Sequence, residues 1–401
     1  MISFQEALKR VDRNSKIPGC EESVVGDALG CVLAEDFHAP FPMPIFDNAA
    51  MDGFALCSAQ TREASSERPV FLKIKGNILA GDTKRRSLEP GEAFRIMTGA
   101  PLPKNADTVL PKEAATVRGR ELIIFKPMIR KHIRHRGEEI KKGRVVLSRF
   151  HRIGPASIGI LTSFGVRKIK IFRKPRVSLL ATGSELVKLG GPLPLGKIYD
   201  SNSMMVTAAL QMMGLKPLWV KSLPDDESLL KKTVKDALKR SDVLVLMGGV
   251  SVGDYDFVKK ILKELKVRKI FWGVSQKPGM PVYFGKTGKT QVFGLPGNPV
   301  SCLVCFYEYV FPLLRKSMGF KDPYLPTESV VLESALNSHR EKLLFLKGRL
   351  VGGDKDRKVQ ALGHQGSHMI SSLCEADRLI VVPPSGRVMR KNETVTTHVL
   401  P

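Results

Sequence analysis

Residues 241–261 read Ser241-Asp242-Val243-Leu244-Val245-Leu246-Met247-Gly248-Gly249-Val250-Ser251-Val252-Gly253-Asp254-Tyr255-Asp256-Phe257-Val258-Lys259-Lys260-Ile261. Val243 to Met247 is an unbroken apolar run, the pattern of a strand buried on both faces of a parallel sheet. Gly248 and Gly249 end it where a backbone can turn tightly and approach a ligand with no Cβ in the way. From Asp256 the period changes, and Phe257, Ile261, Leu262 and Leu265 fall on one helical face. Strand, glycine turn, hydroxyl and helix in succession bring backbone N–H groups to an anion at the carboxyl ends of an α/β sheet. Gly248 to Gly253 is not followed by Lys-Ser/Thr, and no Gly-x-Gly-x-x-Gly is present, which excludes the two common nucleotide fingerprints.

Working outward, the same grammar recurs. Val177–Ala181 ends in Thr182-Gly183-Ser184-Glu185, and Trp219–Leu223 ends in Pro224-Asp225-Asp226. Asn202 is placed to cap a helix to Met213, and a second helix runs to Lys239. Downstream lie Ile270–Trp272, Lys277-Pro278-Gly279-Met280-Pro281, Val282–Phe284, Gln291–Leu295 and Pro296-Gly297-Asn298-Pro299, with Asn298 and Pro299 suited to open a helix through Leu314. Strands alternating with helices predict a doubly wound α/β domain over residues 173–320.

The flanks differ. Ser3 with Glu6 reads as a capping box opening a helix through Val11, and Cys31–Ala34 is strand-like. Short β runs between Pro69 and Pro127, punctuated by Gly-Asp, Pro-Gly and Arg-Gly turns, predict an inserted all-β domain over 48–129. Residues 1–47 and 130–172 then form a linking domain, and 321–401, again β in character, a fourth unit.

Composition bounds the class. The 401 residues give room for about two to four domains. No apolar run approaches the ~20 residues of a membrane span, and no signal peptide is evident at the N-terminus. Six cysteines are too sparse for a disulfide framework and fit a cytoplasmic protein. Cys302 and Cys305 sit in an apolar helical pattern and read as buried thiols rather than a zinc site. Against 39 Asp+Glu stand 64 Lys+Arg, a net charge of +25 that attracts polyanions. The basic residues are dispersed, which argues against a nucleic-acid partner.

In a parallel sheet the strand-end loops share one edge, so Thr182–Glu185, Gly248–Ser251, Lys277–Gly279 and Pro296–Pro299 would line one cleft. Ser184, Ser251, Lys277 and backbone N–H groups supply donors there. Glu185, Asp225, Asp254 and Asp256 supply carboxylates, which beside an anion site fit Mg²⁺ bridging to phosphate. Singly, each has a plainer reading: a tight βα turn for Gly248-Gly249, helix N-terminal acids for Asp254 and Asp256, a turn for Asp52-Gly53. His38, His132, His135, His151, His364, His368 and His398 show no metal-ligand spacing.

Together these segments resemble one family. Pro44-Ile45-Phe46-Asp47-Asn48-Ala49-Ala50-Met51-Asp52-Gly53-Phe54-Ala55, Met97-Thr98-Gly99-Ala100-Pro101-Leu102-Pro103, Ala181-Thr182-Gly183-Ser184-Glu185-Leu186, Asp200-Ser201-Asn202, Gly248–Gly253, Lys277-Pro278-Gly279, Leu295-Pro296-Gly297-Asn298-Pro299-Val300-Ser301 and Gly366-Ser367-His368 occur in the order found in molybdopterin molybdenumtransferases and the C-terminal part of gephyrin. The resemblance implies that the α/β domain binds a pterin and that residues 321–401 form a β-barrel. It also implies a homodimer whose clefts combine the α/β domain of one subunit with N-terminal segments of the other. The implied reaction inserts molybdate into adenylylated molybdopterin with Mg²⁺-dependent release of AMP, and the molybdopterin adenylyltransferase of the preceding step enters as a further partner.

On that resemblance Asp52, Thr98, Glu185, Asp225, Asp256 and Lys277 are the catalytic positions, with Asp225 and Asp256 handling Mg²⁺. Thr182, Gly183, Ser184, Gly248, Gly249, Ser251, Gly253, Pro278, Gly279, Pro296, Gly297, Asn298, Pro299, Ser301 and Ser367 are the substrate-binding ones. Three departures stand out. Met280 replaces a second lysine, Glu139 replaces an aspartate, and Lys347 replaces an arginine whose fork suits an oxyanion. They raise a tungstate-preferring version as one alternative. A pterin-binding scaffold is another. The lone α/β adenylyltransferase is disfavoured by the Asp47–Phe54 segment and the flanking β domains.

Overall fold

The computed structural model describes residues 1–15, 19–249, 257–353 and 356–401. They divide into two compact units: residues 1–34, 150–155 and 168–401 form one, and residues 35–149 and 156–167 the other.

The first unit is built on a six-stranded sheet in the order Trp219–Leu223, Val177–Thr182, Val243–Met247, Thr290–Leu295, Tyr283–Thr287, Arg268–Trp272. The first four run parallel. Tyr283–Thr287 runs antiparallel to both of its neighbours, so the doubly wound sheet is mixed at this edge. The short connection Gly288-Lys289 leaves no room for a crossover helix and forces a hairpin there.

Strand alternation explains the two layers. Val177, Leu179, Val243, Val245 and Met247 face one core, with Phe4, Ala7 and Val11 of helix Phe4–Asn14, Val206 and Leu210 of helix Ser201–Met212, and the apolar face of 299–317. Leu180, Leu244 and Leu246 face the other, against Leu230, Val234 and Ala237 of helix Glu227–Arg240 and Val258, Ile261 and Leu262 of helix Phe257–Glu264. Burying each such side chain contributes about 1.5–3 kcal/mol, which is why the register cannot slip. Asp242, at the head of the central strand, is 9% exposed. Burial would raise its carboxyl, but the Arg176 N–H at 2.8 Å and the Arg173 guanidinium at 3.0 Å outweigh that and hold it low.

Several local expectations are adjusted. Helix Phe4–Asn14 runs a turn past Val11; Ser3 Oγ accepts from Glu6 N, but the Glu6 carboxylate pairs with Arg10 instead of closing the box. Asp200 caps helix Ser201–Met212 by accepting from Ser203 N, so Asn202 lies inside the first turn. Cys31–Ala34 forms only isolated bridges, at Val32 and Leu33. The helix after Pro299 is not continuous: Pro299–Cys305 passes through a π turn, Phe306–Val310, into Phe311–Ser317. Pro312 has no N–H to give to Glu308 O, and a widened turn just before it is the local answer.

Strands between 327 and 399 of this unit build a closed barrel. Leu343–Val351, Lys358–Ala361, Thr327–Leu332, Thr394–Val399 and Arg378–Val382 pair in that order, and the last returns to Leu343–Val351. Its interior holds Val330, Leu332, Val359, Ile380, Val382 and Val395. Gln276–Lys277 from the α/β part adds to it as a parallel sixth strand, pairing with Leu343 and Leu344.

The second unit carries a six-stranded sheet in the order Thr108–Pro111, Gly53–Leu56, Glu92–Ile96, Val70–Ile78, Glu121–Ile124, Thr116–Arg118. A Cβ on Gly53 would lie 2.0 Å from Leu110 O, so the Asp-Gly step fits only because position 53 has no side chain. Among the described residues, no helix is long and apolar enough to cross a membrane.

Candidate active site at the strand ends

The four parallel strands and Arg268–Trp272 point the same way, since two antiparallel steps restore direction. Their carboxyl ends therefore bring 183–185, 224–226, 248–249, 296–299 and the loop leading to Lys277 to one edge of the first unit, as the direction of the strands led one to expect. Ser251, Gly253, Asp254 and Asp256 lie outside the described residues.

At the glycine turn, Gly248 has φ +90° and a Cβ there would meet Thr182 O at 2.5 Å; Gly249 has φ +63°, with Val258 Cγ2 2.6 Å from the same point. Any side chain would break the close approach. The expected N–H donors are partly committed already. Gly248 N donates to Leu295 O, Gly183 N to Leu223 O and Ser184 N to the Asp225 carboxylate. Thus these groups hold the loops rather than a ligand. What remains open, among the described residues, is the N–H of Gly249, the N–H of Gly297 and the buried Thr182 hydroxyl, which has no partner. Gly297 comes within 3.9 Å of Gly248 Cα, measured from where its Cβ would stand, and Asn202 Nδ2 holds its carbonyl at 2.7 Å. The result is a small polar cradle at the sheet edge.

The acids divide cleanly. Asp226 caps helix Glu227–Arg240 by accepting from Leu229 N at 2.9 Å, and that bond, with Ser228, keeps its carboxyl low. Asp225 turns the other way: Ser184 N donates to its Oδ2 at 3.0 Å, and its own N–H donates to Ser184 Oγ at 3.2 Å. The Glu185 carboxylate folds back over Gly183, within 2.6 Å of the missing Cβ. Asp225 and Glu185 are both exposed at this rim.

Beside the cradle lies a cavity of about 740 Å³, walled by Lys277-Pro278-Gly279-Met280, Asn298 and Ser301 from the α/β part and by Lys342, Ser367 and His368 from the barrel part. Gly279 has φ +90°, and a Cβ would stand 2.3 Å from Cys305 Sγ. The Lys277–Pro278 peptide is cis. Gln276, fully buried, donates to Pro278 O at 3.0 Å and is itself bonded to Tyr309 Oη, while Cys305 Sγ donates to Gly279 O at 3.4 Å. Burial pushes the Cys305 and Cys302 thiols up, so both stay neutral; the Cys-x-x-Cys supports this loop. Asn298 does not cap its helix through its side chain; Nδ2 donates to Ser367 Oγ at 3.1 Å, and Val300 N donates to Ser367 O. Ser367 Oγ thus accepts a bond and keeps its proton for a ligand. Pro296 is buried behind Gly297, and Pro299 opens the helix.

Lys347 is a correction. It is 2% exposed and does not wall the cavity. Its ammonium donates to Gly366 O at 3.2 Å and Met369 O at 3.3 Å, so it braces the Ser367 loop from beneath. Desolvation lowers its pKa. Met280 does stand on the cavity wall.

Asp52 and Thr98 lie in the second unit and are bonded to each other. Thr98 N and Oγ1 donate to Asp52 Oδ1 at 2.8 and 2.7 Å, and Lys112 Nζ is 3.6 Å from Oδ2. The Thr98 N–H, then its hydroxyl, hold the Asp52 carboxyl below the usual range. Asp47 anchors the neighbouring segment by accepting from Arg136 N at 2.7 Å. Glu139 is exposed there, its N–H donating to Met43 O.

His339 and Lys342 complete the cavity wall and were missed. Both sit just before a barrel strand that is tied to the loop edge by the Gln276–Lys277 pairing and by Ser275, which no periodicity announces.

Comparison with known proteins agrees with this layout. Residues 2–165 match the MoeA N-terminal region (domain I and II), 178–316 a probable molybdopterin binding domain, and 329–400 the MoeA C-terminal region (domain IV). The chain is 36% identical over 402 residues to a molybdopterin molybdenumtransferase of Haemophilus influenzae, covering 99% of this chain and 98% of the relative. It is 32% identical to that of Bacillus subtilis, with 98% and 93% covered. A crystal structure of the molybdopterin biosynthesis moeA protein from Pyrococcus horikoshii superposes with a TM-score of 0.87 at 32% identity, covering 100% of this chain and 99% of that one.

Proposed function

Because this chain belongs to the molybdopterin molybdenumtransferase family and is a transferase of molybdenum cofactor biosynthesis, we propose that its two adjoining sites divide one substrate set. The glycine cradle takes the pterin and phosphate end of adenylylated molybdopterin. The cavity takes molybdate as the incoming oxyanion. The observation that carries this reading is the cavity wall: Lys277, Lys342, His339 and His368 line it with Ser301 and Ser367, and none of the described lining residues carries a carboxylate. A dianion entering such a space meets charge and hydroxyl donors and, among the described residues, no opposing acid.

Asp225 and Glu185 offer carboxylate oxygens at the cradle rim, a donor set suited to a hard divalent cation that takes its other ligands from phosphate and water. Mg²⁺ held there would supply Lewis-acid polarisation of the phosphoanhydride during release of AMP. Asp225 is oriented for this by Ser184 N, and Thr182 Oγ1 and Gly249 N orient the anionic group beside it. Asp52, kept ionised by Thr98, acts from the second unit of a partner subunit in a homodimer, handling the proton of the water or phosphate at cleavage. The dithiolene sulfurs of the substrate are the ligands that take up molybdenum, so no protein nucleophile is required. Relatives are named for molybdenum, and nothing favours the tungstate alternative.

The test is single-turnover AMP release from adenylylated molybdopterin with Mg²⁺, with and without molybdate. Release stimulated by molybdate, with formation of the metal-containing cofactor, is the expected result. Tight pterin binding with no AMP release under any condition would instead indicate a scaffold.

A further inference from the structure

His339 lies on the cavity wall in the turn that leads into barrel strand Leu343–Val351. Its Nδ1 accepts two backbone N–H groups, from Glu341 at 3.0 Å and Lys342 at 3.2 Å. An N–H can only donate, so Nδ1 carries no proton while these bonds hold, and the ring proton resides on Nε2. The turn is thereby closed by the histidine's proximal nitrogen, leaving the distal one as a fixed N–H donor. Further contacts hold the turn itself: Ser385 N and Gly386 N donate to His339 O at 3.0 and 3.3 Å, and Ser275 Oγ to Glu341 O at 2.6 Å. Lys342, whose N–H closes the turn, is half-buried on the same wall and has no carboxylate partner among the described residues.

We propose that His339 Nε2–H and the Lys342 ammonium are oxyanion-positioning groups of the cavity, one a neutral directional donor and the other a charge, supplied together by a single turn of the barrel. This rests on the oxyanion reading of the cavity given above. A tetrahedral oxyanion presents acceptors in several directions, and Lys277 and Ser301 supply donors from the α/β side while this turn supplies them from the barrel side. Where Met280 gives no donor, this turn gives two. The fixed tautomer matters chemically: a neutral donor leaves the oxyanion's charge state untouched, whereas an imidazolium would offer it a proton.

The test is calorimetric titration of the full chain with molybdate, tungstate and sulfate, alongside Lys277→Ala, Lys342→Met, His339→Phe and His339→Asn. Asparagine at 339 keeps a side-chain oxygen able to accept the N–H two residues on, so it preserves the turn while removing the distal donor. His339→Asn and Lys342→Met are each expected to weaken molybdate binding by about 10–100-fold, the range for a lost hydrogen bond to a charged group. In ¹⁵N-labelled protein the His339 Nε2–H resonance should move on adding molybdate, a change that a purely structural histidine would not show. Wild-type affinity in both His339→Asn and Lys342→Met, with binding lost in Lys277→Ala, would overturn this proposal and leave the cavity reading standing. No oxyanion binding by the unaltered chain would overturn the cavity reading and this proposal with it.

Discussion

Asn298 Nδ2 donates to Ser367 Oγ at 3.1 Å, joining two loops that lie 69 residues apart in the chain. The same two loops are also joined by Val300 N donating to Ser367 O. One loop ends a strand of the α/β sheet and the other crosses the barrel, so the pair spans the cavity's two halves with one side-chain and one main-chain bond.

The latch predicts coupling. Asn298→Ala and Ser367→Ala should each weaken molybdate affinity, and a double-mutant cycle should give an interaction energy of about 0.5–1.5 kcal/mol. Strict additivity, measured by calorimetry, would mean that the bond does not shape the site.

Replacing Lys347 by methionine should remove one donor each from Gly366 O and Met369 O, which keep Met369 N and Ser372 Oγ respectively, costing about 0.5–1.5 kcal/mol for each lost bond. The sign of its pH effect follows from desolvation, which lowers the folded-state pKa. Below that folded value both states are protonated. Between it and the unfolded value near 10.4 the unfolded chain binds more protons, so stability rises with pH through this window. In thermal denaturation the lead of the wild type over Lys347→Met should therefore be constant around neutral pH and widen as pH rises through this window, because the wild type alone shows the alkaline rise. Parallel profiles would remove Lys347 from the account.

Thr98→Ala removes one of the two bonds that hold Asp52 low, so the Asp52 carboxyl should titrate at higher pH than in the wild type. If the ionised form is the working one, the acid limb of kcat/KM moves upward in pH. Asp52→Asn should lose about 10²–10⁴-fold in AMP release at every pH. An acid limb that stays in place in Thr98→Ala would assign that limb to another group.

For Asp225→Asn the amide oxygen can still accept from Ser184 N, so the loop should keep its shape. What changes is the charge offered to Mg²⁺. The Mg²⁺ concentration needed for half-maximal AMP release should rise about 10–100-fold, with thermal stability unchanged. An unaltered Mg²⁺ requirement would exclude Asp225 as a ligand.

How far the chain could be read follows from where each signal is local. Val243–Met247 is a strand over the bounds read from its apolar run, because burial on both faces leaves a mark in consecutive residues; Trp219–Leu223 is also a strand over its expected bounds, although Val220, Lys221 and Ser222 are exposed at the sheet edge. The glycines at 248, 249 and 279 were legible because their conformations tolerate nothing else. Lys347 was not. A lysine reads as exposed, and only the fold shows its ammonium enclosed by the Gly366–Met369 loop. Asp200 rather than Asn202 caps its helix because both residue types cap well, and spacing alone cannot rank neighbours two apart. His339 escaped because its role depends on a turn between two barrel elements, and histidine carries no periodic signature.

The parallel pairing of Gln276 and Lys277 with Leu343 and Leu344 has a consequence for how this pocket can diversify. A main-chain ladder is indifferent to which side chains hang from it. The seam between sheet and barrel is thus written in peptide groups, while the cavity wall at Met280, His339 and Lys342 is written in side chains. Selection could exchange one oxyanion for another, residue by residue, with the masonry left standing.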